Sequence, residues 1–309
     1  MGILLQPTEL KTNQSYKGLI YGQPGVGKTT LALSSSNPVC IDFDKGMKRV
    51  EPQFQVPSLQ VDKYEQVLEL LNSKELNSFD TLVIDTLGKL VDRISDYVMA
   101  NNFKAKAGAS LSRQGWGEVK GVFNNLLRSL ESKNKSIIFV AHESEEKDKD
   151  NVVKRPDCSG SARKDIVKEL DFMGYVKIRG NSRTISFAPS EEYYAKNSLG
   201  LNSFIEIPNT KNGNNFIAKQ IEGQIAVKAK ERSEMRKGYE ELKSLIDSNI
   251  LDLQNVDDVN TYYKNMGDKT HIWDSAIYEK LQLSERVKKL NISFNKEKKL
   301  FEENQAKKE

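Results

Sequence analysis

A doubly wound α/β domain with a mostly parallel sheet is the fold class this sequence predicts, and three observations predict it. A glycine-rich octet sits between a strand and a helix, short apolar runs alternate with helix-period stretches, and a hairpin signal follows them. A small helical appendage is predicted beyond the hairpin. At 309 residues the chain has room for a large α/β domain of about 200 residues and such an appendage.

The first run, K-G-L-I-Y from Lys17 to Tyr21, reads as a short buried strand, and T-T-L-A-L from Thr29 to Leu33 starts a helix. Between them Gly22 to Thr29 read G-Q-P-G-V-G-K-T, which fits G-x-x-x-x-G-K-[ST], the loop that wraps a nucleotide's phosphates. Glycines let the backbone curl with its N–H groups inward, and the following helix offers its positive end. The predicted phosphate cradle is Gln23, Pro24, Gly25, Val26, Gly27, Lys28, Thr29 and Thr30. Lys28 is expected to reach the β- and γ-phosphates, and the Thr29 hydroxyl to ligate Mg2+.

Three further strands follow: P-V-C-I-D-F-D from Pro38 to Asp44, T-L-V-I-D-T from Thr81 to Thr86, and S-I-I-F-V-A-H from Ser136 to His142. Each is nearly continuous in apolar character, as strands buried on both faces of a parallel sheet are. Helix spacing relates Tyr64, Val67, Leu68 and Leu71, and again Trp116, Val119, Phe123, Leu126, Leu127 and Leu130. F-M-G-Y-V-K-I from Phe172 to Ile178 and R-T-I-S-F-A from Arg183 to Ala188, joined by G-N-S, predict an antiparallel hairpin extending one edge of the sheet. Residues 195–215 read as loop with one short strand, S-F-I-E-I-P.

The character changes near residue 224, so the expected boundaries are 1–223 for the α/β domain and 224–309 for the appendage. Met235, Tyr239, Leu242, Ile246 and Ile250 describe an amphipathic helix. Asp257 is expected to cap a second helix, and Trp273, Ile277 and Leu281 to stripe a third before a charged close. These stripes suit packing on the larger domain or gripping a partner.

Composition excludes several classes. No stretch approaches the roughly 18 uninterrupted apolar residues of a membrane span. The start lacks both a myristoylation pattern and a secretion-length apolar run, so the chain is expected to stay in the cytoplasm. Cys40 and Cys158 are the only cysteines and no disulfide is expected; with His142 and His271 the only histidines, no zinc cluster can be assembled. A net charge of +4 does not by itself point to nucleic acid.

The chemistry falls at strand ends. Asp85 closes L-V-I-D, where a carboxylate can hold Mg2+ beside Thr29; the next residue is Thr86 rather than Glu, so a general base must come from elsewhere. Asp42 and Asp44 end the preceding strand on one face, and either could orient the attacking water, or Asp44 could simply make a polar turn with Lys45 and Gly46. His142 ends the next strand, suited either to sensing a γ-phosphate or to a local backbone hydrogen bond.

The order G-Q-P-G-V-G-K-T, I-D-F-D, L-V-I-D-T, I-F-V-A-H-E, polar loop and antiparallel hairpin resembles the RecA-type ATPase core over roughly Ser15 to Gly223. More narrowly it resembles phage-encoded, core-only RecA-like ATPases of single-strand annealing and recombination. The resemblance implies ATP and Mg2+ as cofactors, Asp44 as the water-activating acid and His142 as the γ-phosphate sensor, with Lys28 completing the catalytic set. Asp44 is a methylene shorter than the usual glutamate, which implies slow hydrolysis, and His142 stands where those recombinases carry glutamine, so coupling of nucleotide state to the DNA loop is inferred rather than matched. The resemblance also implies two DNA-facing loops. The first, Asn102 to Gly115, carries Lys104, Lys106 and Arg113, with Phe103 its one aromatic; the second, Ser144 to about Lys164, turns basic at Lys154, Arg155, Arg163 and Lys164. Arg155, Arg163 or Lys164 could instead reach a neighbouring subunit's nucleotide.

The expected function is therefore a slow, DNA-stimulated ATPase that binds single-stranded DNA and assembles as a homo-oligomeric ring or filament. A single-strand-binding or replication protein is a possible partner, no membrane is involved, and the host cytoplasm is the setting if the gene is a phage's. The alternative is a P-loop switch that recruits a replication or packaging partner through its helical tail.

Overall fold

In the sheet, successive residues of each central strand are buried against different layers. Leu19 and Tyr21 of β1 (Lys17–Gly22) face one apolar cluster and Ile20 the other. Two-sided burial is why the strands read as unbroken apolar runs. The computed structural model describes residues 15–102, 105–108, 110–148, 151–158, 167–180, 182–208, 215–268 and 270–304.

After β1 come α1 (Lys28–Ala32), β2 (Pro38–Asp42), β3 (Ser58–Gln60), α2 (Tyr64–Asn72), β4 (Thr81–Asp85), α3 (Leu87–Asn101), the short β5 (Lys106–Ala107) and β6 (Ser110–Leu111), and α4 (Arg113–Glu131). Then follow β7 (Ser136–Asp148), β8 (Asn151–Pro156), β9 (Phe172–Arg179), β10 (Ser182–Ser186), β11 (Lys196–Asn197) and β12 (Phe204–Ile207). The sheet has the order β12-β10-β9-β1-β7-β4-β2-β3, with β11 on β9 and β8 on β7. From β9 to β3 every pairing along this path is parallel. The expected antiparallel edge is present in β10 and β12, but the first arm of the hairpin, β9, runs parallel to β1 inside the sheet.

One face is covered by α2, α3 and α4, through Val67, Leu90, Ile94, Phe123 and Leu127 against Ile41, Ile84 and Phe139. The other is covered by α1 and by a π-helical turn, Ile217–Glu222, through Leu31, Ile217 and Ile221 against Cys40, Val83 and Ile138. Phe139 is fully buried between strands and α4, so Phe139→Ala would cost about 3–5 kcal/mol. Cys40 and Cys158 are both buried and no disulfide joins them.

By its contacts the chain divides into two compact units, Asn13–Lys228 and one that holds Ala229–Glu309; the division falls inside α5 (Gly223–Leu251). The second unit adds α6 (Val256–Asn265), α7 (Ser275–Lys289) and an antiparallel hairpin, β13 (Ile292–Asn295) with β14 (Leu300–Glu303). Its core is Ile246, Ile250, Val259, Leu283, Val287 and Phe301. Three expectations change here. The cap of α6 is Asn255, whose side chain accepts from Asp258 N at 2.9 Å, not Asp257. The described residues of the charged close, 295–304, belong largely to the hairpin. The stripe Trp273, Ile277 and Leu281 is exposed, and α7 buries Ser275, Glu279, Leu283 and Val287 instead. Two polar positions on that face are accommodated because Tyr262 donates to Glu279 at 2.5 Å and Ser275 lies 3.1 Å from His271 Nδ1. Among the described residues no helix is long and apolar enough to cross a membrane.

Candidate functional site

Parallel pairing brings the C-terminal ends of β1, β2 and β4 to one edge beside the middle of β7, and the register aligns Asp42 with Asp85 and Gly22 with His142. His142 does not end its strand as expected: its parallel pairing stops there, but β7 continues to Asp148 by pairing with β8. A cavity of ≈350 Å³ opens there, lined by Pro24, Gly25, Gly27, Lys28, Thr29 and Thr30 of the glycine loop together with Asp44, Asp85 and His142. The glycines serve local geometry: Gly25 (φ 80°) and Gly27 (φ 82°) are left-handed, and a Cβ on Gly27 would also strike the Arg183 guanidinium. Gln23 and Val26 belong to the loop but not to the cavity wall. Gln23 O accepts from Lys28 Nζ at 2.6 Å, and the Val26 side chain is buried in the core. The helix after the loop, α1, has only five residues, so the inward loop amides rather than a long helix carry the anion-binding potential.

Lys28 is buried, and burial lowers its pKa against the opposing fields of Asp85 and Glu143. Thr29 Oγ1 donates to Asp85 Oδ2 at 2.6 Å. Burial raises the Asp85 pKa, the Thr29 hydrogen bond opposes the rise, and Asp44 and Asp42 add to it. A buried carboxylate disfavoured as an anion, touching a hydroxyl and facing a cavity, suits a hard divalent cation bound through oxygen. Thr29 and Asp85 would hold Mg2+, leaving its other positions to water and phosphate.

The two acids of β2 part company. Asp42, 1 % exposed, accepts from Gly46 N and Met47 N, both at 2.9 Å, and so fixes the turn that follows. Asp44 lines the cavity with its Oδ2 4.0 Å from His142 Nε2. The alternation argument put both on one face, but β2 ends at Asp42 and the chain turns away.

Sequence reasoning missed three neighbours. Arg183 on β10 donates to Val26 O at 3.4 Å and buttresses the loop from the side. Glu143, next to His142, accepts from Tyr175 OH at 2.9 Å and lies 3.5 Å from Lys154 Nζ. Arg49, from a 3-10 turn at Met47–Arg49, lines the cavity. A basic residue soon after Asp44 was the one available signal, and only for Arg49.

The described residues of the expected DNA loops form regular structure that their composition does not suggest. In the first, β5 and β6 pair as a small hairpin, and Gly115 packs so closely on Ala105 that a Cβ would meet the Ala105 carbonyl. Lys106 and Arg113 are exposed, and Arg113 opens α4, whose first turn has no acid. Trp116, placed by sequence on the buried stripe of α4, is 36 % exposed. The described residues of the second loop lie largely in the β7–β8 hairpin. Its Arg155 pairs with Glu146 at 2.6 Å, lies 4.4 Å from the Tyr194 ring centroid and donates to Tyr194 OH; Lys154 faces Glu143. Phe103, Lys104, Arg163 and Lys164 lie outside the described residues.

A family model described as an AAA domain matches residues 14–199. No functionally curated protein matches the chain. Among solved structures, a KaiC-like protein from the hyperthermophilic archaeon Pyrococcus horikoshii is 12 % identical with a TM-score of 0.37, spanning 64 % of this chain and 98 % of that one. An isolated ATPase domain is 12 % identical with a TM-score of 0.38, spanning 63 % of this chain and 81 % of that one. Both likenesses are weak.

Proposed function

The chain belongs to the AAA-domain family of P-loop ATPases, and from that premise we propose that it is a RecA-like, ATP-hydrolysing protein that binds single-stranded DNA in phage annealing or recombination. The observation that carries the reading is the convergence of Lys28, Thr29, Asp44, Asp85 and His142 on one cavity.

In this reading the loop amides and Lys28 grip the triphosphate, and Thr29 with Asp85 hold Mg2+, which supplies positive charge to the phosphate oxygens. Asp44 accepts a proton from the attacking water as general base, and His142, within 4.0 Å of it, orients that carboxylate and senses the terminal phosphate. Lys106, Arg113 and the exposed Trp116 support the DNA assignment, since two cations beside an aromatic suit phosphates and an unstacked base. Lys154 and Arg155 are spent on Glu143 and Glu146, which moves the proposed contact towards the first loop. Assembly as a ring or filament, with Lys104, Arg163 and Lys164 as additional contacts, belongs to the same proposal.

The exposed Trp273, Ile277 and Leu281 favour a second reading, in which the C-terminal unit recruits a replication or packaging partner and hydrolysis acts as a timer. ATP turnover and oligonucleotide binding at low salt separate the two. The first reading requires binding that Lys106→Ala with Arg113→Ala weakens and Ile277→Asp does not. Failure to bind any oligonucleotide would leave the partner reading.

A further inference from the structure

We infer that Arg49 is a phosphate ligand of the same cavity, acting from within its own chain on the terminal phosphate of the bound nucleotide. This rests on the nucleotide reading above and adds a residue that neither the glycine loop nor the strand tips supply.

The placement is fixed from both sides. Asp42 anchors the amides of Gly46 and Met47, Arg49 N donates to Gly46 O at 2.8 Å, and Met47 and Val50 are buried on either side. Arg49 thus projects from a short turn whose backbone and flanks are held, into a cavity it shares with Lys28, Asp44 and His142. Gly46 adopts φ −85°, a conformation open to any residue. What its missing side chain provides is room: a Cβ there would stand 2.8 Å from Arg49 Nη2.

Among the described residues the Arg49 side chain makes no hydrogen bond or ion pair, although Asp44 and Asp85 line the same cavity. Arg155 and Arg183, by contrast, are tied to protein acceptors. Charge balance points the same way: two carboxylates outnumber Lys28, and Arg49 is the lining cation that brings the count level for an arriving triphosphate. A guanidinium matches phosphate oxygens with two parallel donors. Arg49 leaves on the connection that carries Asp44, so it meets the end of the phosphate chain beside Asp44 and His142 rather than the base.

Equilibrium binding of ADP and of a non-hydrolysable ATP analogue, both with Mg2+, to the full chain tests this in the wild type, Arg49→Gln, Arg49→Lys and Lys28→Ala. Arg49→Gln should weaken the analogue about tenfold while ADP changes by less than about twofold, with Arg49→Lys intermediate. An equal change for both nucleotides, or none for either, overturns the inference. Lys28→Ala should lose both nucleotides; if it binds both as the wild type does, the nucleotide reading itself falls.

Discussion

In the phosphate-loop cavity charged side chains converge on an opening, whereas on the β7–β8 hairpin they close on one another. Lys28 at the start of α1, Asp44 just after β2, Asp85 at the end of β4 and His142 where the parallel pairing of β7 stops all line the same space. Arg155 and Lys154 come from one strand, and each meets an acid of the adjacent β7 strand. The difference teaches where unspent electrostatic potential resides. A pair such as Arg155 with Glu146, its arginine mostly buried, is closed on itself and leaves little field for a ligand.

The largest expected effect belongs to the cavity. Lys28→Ala should lower steady-state ATP turnover by about a thousandfold, the scale of losing a preorganised charge on a reacting phosphate, while Lys154→Ala on the hairpin should leave turnover within about threefold. Asp44→Ala should cost about a hundredfold in the same assay, the usual contribution of a general base. Asp42→Ala should instead show its main effect as a lower melting temperature, because it unpins the Gly46 and Met47 amides. If Asp44→Ala turns over as the wild type does, the base lies elsewhere.

The polymer site comes next. Lys106→Ala with Arg113→Ala should weaken single-stranded DNA about tenfold and reduce the slope of log affinity against log salt by about 0.7 for each contact removed. Lys154→Ala should change neither by more than about twofold. Equal losses from both sets would mean that the hairpin opens to release its cations.

The smallest effect concerns stability. Burial holds the Asp85 pKa above its ordinary value, so as pH rises through the interval between the two the unfolded chain loses its proton first. The nucleotide-free fold therefore grows less stable with rising pH across that interval, and is relatively most stable below it. Asp85→Asn should remove this slope and raise the melting temperature at neutral pH by about 2–4 °C in thermal melts without nucleotide. A lower melting temperature for Asp85→Asn would show that the carboxylate is stabilising and the cavity unstrained.

How much was legible in the sequence follows the same division. Asp85 and His142 could be read because parallel strands bring their C-terminal ends to one edge, and the glycine loop because its spacing dictates its backbone. Arg183 could not, since β10 approaches the loop only through the sheet order β10-β9-β1. Arg49 depends on a 3-10 turn held by Asp42, which alternation along β2 could not distinguish from Asp44. Trp273, just before α7, and Ile277 and Leu281 on it mark an exposed face rather than the buried one. Hydrogen bonding with Tyr262 and His271 lets Glu279 and Ser275 be buried at polar positions that a hydrophobic stripe cannot register. The cations of the second loop looked free because the facing β7 acids, Glu143 and Glu146, are named by a hairpin register and not by sequence distance.

ATP turnover by the full chain, measured with and without single-stranded DNA and repeated for Asp44→Ala, bears most directly on the central claim. The account predicts slow hydrolysis that the oligonucleotide accelerates in the wild type and that Asp44→Ala loses under both conditions. Hydrolysis indifferent to DNA, with Asp44→Ala unimpaired, would contradict it.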